Sequence, residues 1–332
     1  MAEMLLCTLL LAATLYTVLG GADFGVGIIE PLLGSEHEED IQSALSPVWE
    51  ANHVWLVLVV VISFVGFPAL FSTVCTYLHI PLVLVLLGIV ARGTAFTFRH
   101  YDPAPPAVRS WYSWWFRAGS LLTPLFLGII VAACVQGQLD DDVSRGFYAL
   151  YVAPWNTPFC WLCGLFVCAL FAFQGAALLS AEQARRKGPL PFLRLSRRLH
   201  LLAMALGGVV LLAGYRSDVP WLHAFLRHPV SLACVVLATL LTPLVARSFQ
   251  RGWVWSLRIT VGAQVSCVLV GLIAADYPVL LHMQGRVLTL ADVVAPPATL
   301  RSLLVTLVLG LILIAPALVY LLRVYKIPSK AP

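Results

Sequence analysis

The sequence predicts an all-α polytopic membrane protein of about nine transmembrane helices in bundles, with the N-terminus periplasmic and the C-terminus cytoplasmic. Three observations carry this. Of 332 residues, 60% are hydrophobic and only 11% charged, against roughly 25% charged in a soluble domain. Apolar runs of about 20 residues, the length that crosses a bilayer as helix, recur along the chain and are continuous rather than alternating, which argues against a β-barrel. Lys and Arg are also distributed unevenly between the segments that join these runs.

The first run starts near Met4 and continues through Asp23 to Glu30, with small residues at Gly20, Gly21, Ala22, Gly25 and Gly27 that admit a neighbouring helix closely. No Lys or Arg precedes it and no loop signal follows it, so it is expected to stay as a span and not to leave as a signal peptide. The second apolar run, from His53, is preceded by Glu50 and continues to Leu70. Further runs begin near Thr76, Ala118, Pro158, Leu199, Pro229, Trp253 and Leu303, the one at Leu199 being the shortest. Pro68, Pro81, Pro124, Pro243 and Pro316 lie inside or near the ends of spans, where neighbouring helices can satisfy freed carbonyls. The longest polar connections are Arg99–Arg117, Gly137–Asn156, Glu182–His200, Gly214–Pro229 and Asp276–Arg301, so residues 1–332 are expected to form a single integral membrane domain.

Orientation follows from charge. Segments after odd-numbered runs carry fifteen of the 21 Lys and Arg residues, those after even-numbered runs carry five, and Arg92 lies inside a span. Basic cytoplasmic connections account for the net charge of +5, and no nucleic-acid partner is implied. The segment Glu36-His37-Glu38-Glu39-Asp40 is acidic on the same side. It suits either a solvated helix cap or a mouth that collects protons for Glu30 and Asp23.

A carboxylate at membrane depth costs on the order of 2.5–3.5 kcal/mol on insertion scales and is functional by default. Asp23, Gly27 and Glu30 share one helical face, so an acidic line descends the first span. Glu50 and His53 are neighbours on the second, and Asn52 adds an amide that can donate to a carboxylate and accept from a histidine. Asp23, Glu50, Glu30, His53 and Asn52 are therefore the candidate proton pathway. An acid pair bonded into a helix interface is the plainer alternative. A haem on His53 would need a second axial ligand, and His79 falls near the opposite end of its span, so no haem is expected on this chain. Eight cysteines are scattered in or beside spans, and Cys160–Cys163 has no second pair, so no metal site is expected.

Two motifs identify a family. Gly-Ala-Asp-Phe-Gly-Val-Gly at Gly21–Gly27 and Pro-Val-Trp-Glu-Ala-Asn-His-Val-Trp-Leu at Pro47–Leu56 together resemble subunit II of the bacterial cytochrome bd-type quinol oxidases, including the cyanide-insensitive branch. Arg92-Gly-Thr-Ala-Phe-Thr-Phe-Arg99 resembles a third stretch of that family, and beyond Arg99 the likeness is of organisation. The resemblance implies a subunit of the bacterial plasma membrane that pairs with a homologous subunit I, which carries b-type and d-type haems, oxidises membrane quinol and reduces O2. Subunit II itself binds no haem, stabilises its partner, lines a cytoplasmic proton path, and in some members holds a structural quinone. Whether small single-helix accessory subunits attach is left open. Asp23 and Glu50 match the motif acids. Glu50 and Ala51 stand where the family has Asp and Gly, and Gly20 and Thr97 stand where some or many relatives have acids. The competing reading is a proton-coupled secondary transporter, although no pair of interrupted spans occupies corresponding halves.

Overall fold

The computed structural model describes residues 1–33, 38–102, 105–187 and 193–326. Helix α1 (Ala2–Ile29) passes into a short 3₁₀ turn at Glu30–Leu32, where Pro31 closes the α-helical run. Helix α2 (Glu38–Gly66) returns and breaks at Phe67, because Pro68 pushes the residue before it out of helical geometry, to φ −132° and ψ 59°. Helix α3 (Pro68–Tyr77) then leaves the Asn52–Gly66 segment at 109°. The second sequence-predicted span is therefore a bent pair. Counting it as one, nine helical units among the described residues are long and apolar enough to cross a membrane.

Helices α4 (His79–Tyr101), α5 (Pro106–Gln136), α7 (Pro158–Lys187), α8 (Leu193–Arg216), α10 (Pro229–Arg251), α11 (Val254–Ala274) and α13 (Pro297–Lys326) supply the other spans, with short α6 (Gly146–Tyr151) and α9 (Pro220–Arg227) between them. After α11 comes an antiparallel hairpin, β1 (Val279–Met283) and β2 (Arg286–Thr289), with Met283 opposite Arg286 and Gly285 at φ 74° in the turn. Helix α12 (Leu290–Val293) follows, held by a capping box in which Thr289 and Asp292 bond each other. Hydrogen bonds from the Thr289 hydroxyl and backbone N–H keep the Asp292 carboxyl below the usual carboxylate range. The hairpin is tied to the segment after α5 by Arg286–Asp141 at 2.8 Å and by Arg145, which bonds Asp140 at 2.5 Å and Gln284 at 2.7 Å.

Two polar connections differ from the sequence expectation. The stretch Asp276–Arg301 folds into the hairpin and α12 because its apolar residues Leu281, Met283, Leu290 and Val293 are buried. The stretch Arg99–Arg117 is mostly helical, and the arginines at its two ends both bond Glu30, Arg99 from a buried side chain and Arg117 from one that stays partly exposed.

Helix α1 is the hub of the bundle, packing on α2, α5, α7 and α11. Its crossing with α7 is backbone on backbone. A Cβ at Gly25 would lie 1.7 Å from the Phe171 carbonyl oxygen, and one at Gly175 would lie 2.3 Å from Gly25 C. Beside this contact the Gln174 amide donates to the Thr17 and Val18 carbonyls at 3.2 and 3.0 Å. The close approach helps bury the C-terminal half of α1, where Asp23 sits.

Candidate functional site

Asp23 and Glu30 are seven residues apart, two turns or about 10 Å along one face of α1. Arg92 and Arg99 are also seven apart on α4, which runs in the same direction. The two spacings match, so each acid meets an arginine. Arg92 Nη2 donates to Asp23 Oδ1 at 2.6 Å, with the two side chains 4% and 1% exposed. Arg99 Nη1 donates to both Glu30 oxygens at 3.0 Å. Arg117 of α5 adds Nε to Glu30 Oε1 at 3.1 Å, and its side chain is 44% exposed. This brings the outer pair to the surface of the bundle.

Helix α5 fits between the pairs because α1 lacks side chains there. A Cβ at Gly27 would come within 2.1 Å of Ser120 Oγ. Phe116, fully buried, stands between the guanidinium groups of Arg92 and Arg99, at 4.9 and 4.8 Å from its ring centroid. Arg92 is satisfied several times over. It also donates Nε to Ser120 Oγ at 3.0 Å and Nη2 to the Asp23 carbonyl at 3.2 Å, and it lies 4.8 Å over Phe24. Desolvating each ion costs several kcal/mol, and only such dense pairing makes buried charges tolerable.

A small cavity adjoins the Asp23–Arg92 pair, lined by Tyr16, Asp23, Asn52, His53, Ile89 and Arg92 among others. Asn52 is buried because Gly20 leaves it room. A Cβ at Gly20 would be 2.7 Å from Asn52 Nδ2. His53 lines the same cavity yet is exposed on the outer face of α2. The cavity therefore connects a buried carboxylate to an imidazole at the surface.

Of the sequence-predicted pathway, Asp23, Asn52 and His53 meet at this cavity, and Glu30 lies one rung away. The Glu50 side chain lies outside the described residues, although its backbone belongs to α2. Glu36 and His37 also lie outside them, as do the side chains of Glu38, Glu39 and Asp40. Gly20 takes no acid because Asn52 fills that space. Thr97 bonds the Gly93 carbonyl on an exposed face of α4. Reading the sequence missed Arg92, Arg99 and Arg117 as partners of the acids. The matching seven-residue steps of acids and arginines were the signal that could have found them. His79 bonds the Thr76 carbonyl at 2.9 Å and packs its ring on Tyr151, far along α4 from Arg99. Among the described residues no group of His, Cys, Asp and Glu could hold a metal.

Comparison with known proteins gives a family match over residues 1–325, to cytochrome bd terminal oxidase subunit II. The chain belongs to this family. It is 28% identical over 249 residues to the cytochrome bd ubiquinol oxidase subunit 2 of Bacillus subtilis, covering 72% of this chain and 70% of that protein. It is 24% identical over 324 residues to the cytochrome bd-I ubiquinol oxidase subunit 2 of Escherichia coli, covering 86% and 84%. The bd oxidase of Geobacillus thermodenitrificans contains a chain of the same fold, with a TM-score of 0.79, 20% identity and 99% coverage of both chains. As a cytochrome bd subunit II, the chain is a multi-pass protein of the bacterial inner membrane and part of a respiratory quinol oxidase complex. Membership does not favour the transporter reading.

Proposed function

We propose that this cytochrome bd subunit II holds the haem-bearing subunit I in its active form and lines a proton path from the cytoplasm toward the O2-reducing site. The path runs from Glu30 through Asp23 and Asn52 to His53 and Glu50. The partner's b-type and d-type haems supply the redox chemistry. We assign no haem to this chain: His79 bonds the Thr76 carbonyl, and His53 lines the cavity beside Asp23. The bias of fifteen basic residues against five supports a cytoplasmic Glu30 end and an external hairpin end.

The cavity that joins Asp23 to exposed His53 is the observation that carries this reading. Asp23 lines the cavity with one oxygen on Arg92 and the other, Oδ2, without a hydrogen-bond partner among the described residues, so a proton can be held on Oδ2 without dismantling the pair. When Asp23 is neutral, Arg92 keeps the Ser120 hydroxyl, the Asp23 carbonyl and two aromatic faces. The arginine therefore stays in place through a protonation cycle. Arg117 and Arg99 do the same for Glu30 at the surface end.

Turnover per haem in purified complex tests the path. Asp23→Asn and Glu50→Gln keep size and hydrogen bonding but carry no proton, and each is expected to slow O2 consumption roughly tenfold or more beyond any loss of assembled complex. Glu50→Asp, which restores the family's residue, is expected to retain most activity. Near-normal turnover in both amide variants would leave the acids as structural. The holding role has its own readout. Subunit I produced without this chain is expected to incorporate little high-spin haem, and a fully haem-loaded, active subunit I alone would contradict it. His53→Ala should leave the haem spectrum unchanged.

A further inference from the structure

Three residues that line the cavity beside Asp23 each carry a buried polar atom without a partner. Asp23 Oδ2, Asn52 Oδ1 and the Tyr16 hydroxyl have no hydrogen-bond partner among the described residues. Their residues are 1%, 3% and 8% exposed, and all three line the same cavity. Buried polar atoms left unsatisfied are costly, so three lining one cavity point to a ligand that completes them.

The donor and acceptor balance identifies that ligand. A deprotonated carboxylate oxygen and an amide oxygen only accept, while a tyrosine hydroxyl both donates and accepts. A molecule that suits the set donates twice and accepts at least once. Water does so with its two O–H groups and two lone pairs. An anion would face two acceptors, and an apolar group would satisfy none of the three. A metal cation would compete with the Arg92 guanidinium, already 2.6 Å from the same carboxylate. The cavity, ≈ 10 Å³, is about the size that admits one water. The residues are also held where they are needed. Tyr16 is seven residues before Asp23 on the same face of α1, and Gly20 between them makes room for Asn52.

We propose that this cavity binds one ordered water, which donates to Asp23 Oδ2 and Asn52 Oδ1, accepts from the Tyr16 hydroxyl, and hands protons from Asp23 to the His53 imidazole. Tyr16 is thereby a positioning residue, absent from the proton path as read above. The transfer balances without electrons. When Asp23 is protonated, its Oδ2–H becomes the donor to the second lone pair of the water, and the water O–H that had faced Oδ2 is free to turn to an unprotonated imidazole nitrogen of His53. The water takes the proton from Asp23, releases that O–H proton to the nitrogen, and is regenerated. The transfer, though not the water site, rests on the proton-path reading of the previous subsection.

A map of the purified oxidase complex at a resolution that shows waters tests the site directly. A single peak within hydrogen-bond distance of Asp23 Oδ2, Asn52 Oδ1 and the Tyr16 oxygen is expected, and its absence overturns the proposal. A peak accompanied by turnover that depends on Na⁺ or K⁺ concentration overturns the assignment to water. Tyr16→Phe removes one hydroxyl with little change in volume. It is expected to weaken the peak and to lower turnover per haem roughly tenfold with the haem content intact. Unchanged turnover in Tyr16→Phe alongside slow Asp23→Asn overturns the water link and leaves the proton path standing. Unchanged turnover in Asp23→Asn defeats the path itself and with it the transfer, whatever the map shows at the cavity.

Discussion

Arg92→Gln is expected to leave almost no assembled oxidase in the membrane. Arg92 is the only charged group the described structure places within bonding distance of Asp23, and both are buried. Removing one partner of a buried pair strands the other charge and costs about 3–5 kcal/mol, a large share of the roughly 5–15 kcal/mol that stabilises a folded protein. The loss should be relieved by removing the second charge as well. Asp23→Asn combined with Arg92→Gln is expected to recover much of the assembled, haem-loaded complex, because two neutral amides can bond each other and Ser120. Turnover of the double variant should stay low, since the site no longer holds a proton. Arg92→Gln complex that accumulates and melts like the parent would show that the pair contributes little to the fold.

Gly25→Val is expected to be as damaging by a different route. The added Cβ would meet the Phe171 carbonyl oxygen at 1.7 Å, less than half an ordinary contact. Relief requires α1 and α7 to separate, which opens the packing that covers Asp23 and removes dispersion contacts along the whole crossing. Gly175→Val should fail in the same way, with its Cβ 2.3 Å from Gly25 C. Gly208→Ala is the control, because nothing lies within 4 Å of its Cβ and the residue is exposed. Subunit II abundance in detergent-solubilised membranes reads all three. Normal accumulation of Gly25→Val would mean that the α1–α7 crossing is looser than its geometry.

The helix count, the small-residue face of α1 and the candidate acids were legible in the sequence because each has a local signature: a long apolar run, a cluster of glycines, a charge at membrane depth. What escaped was relational. The bend at Phe67 follows from Pro68, but hydropathy averages across a kink and registers one span. Arg99 and Arg117 looked like the ends of a cytoplasmic connection, since window averaging counts a guanidinium as solvated whether or not an acid awaits it. The hairpin at Val279–Thr289 is short and mixed in character, and becomes a fold only through burial against neighbours far away in the chain. Asn52 lines the cavity beside Asp23, and the reason it is buried lies in Gly20 on another helix, which no reading of its own helix shows.

The equal spacing of the two acid–arginine pairs has a mechanical consequence. A single cross-link between parallel helices allows each to pivot about it, and a slide of one helical turn can be absorbed by a long side chain. Two cross-links separated by the same interval on both helices remove that freedom, as two pins hold a plate that one pin lets swing. Inserting one alanine between Arg92 and Arg99 would rotate the second arginine by about 100° and lift it by about 1.5 Å, so both pins could not seat together. The ion pairs thus fix the height of α4 beside α1, and with it the level at which the exposed apolar side chains of α4, Leu86, Val90 and Phe98, meet their surroundings.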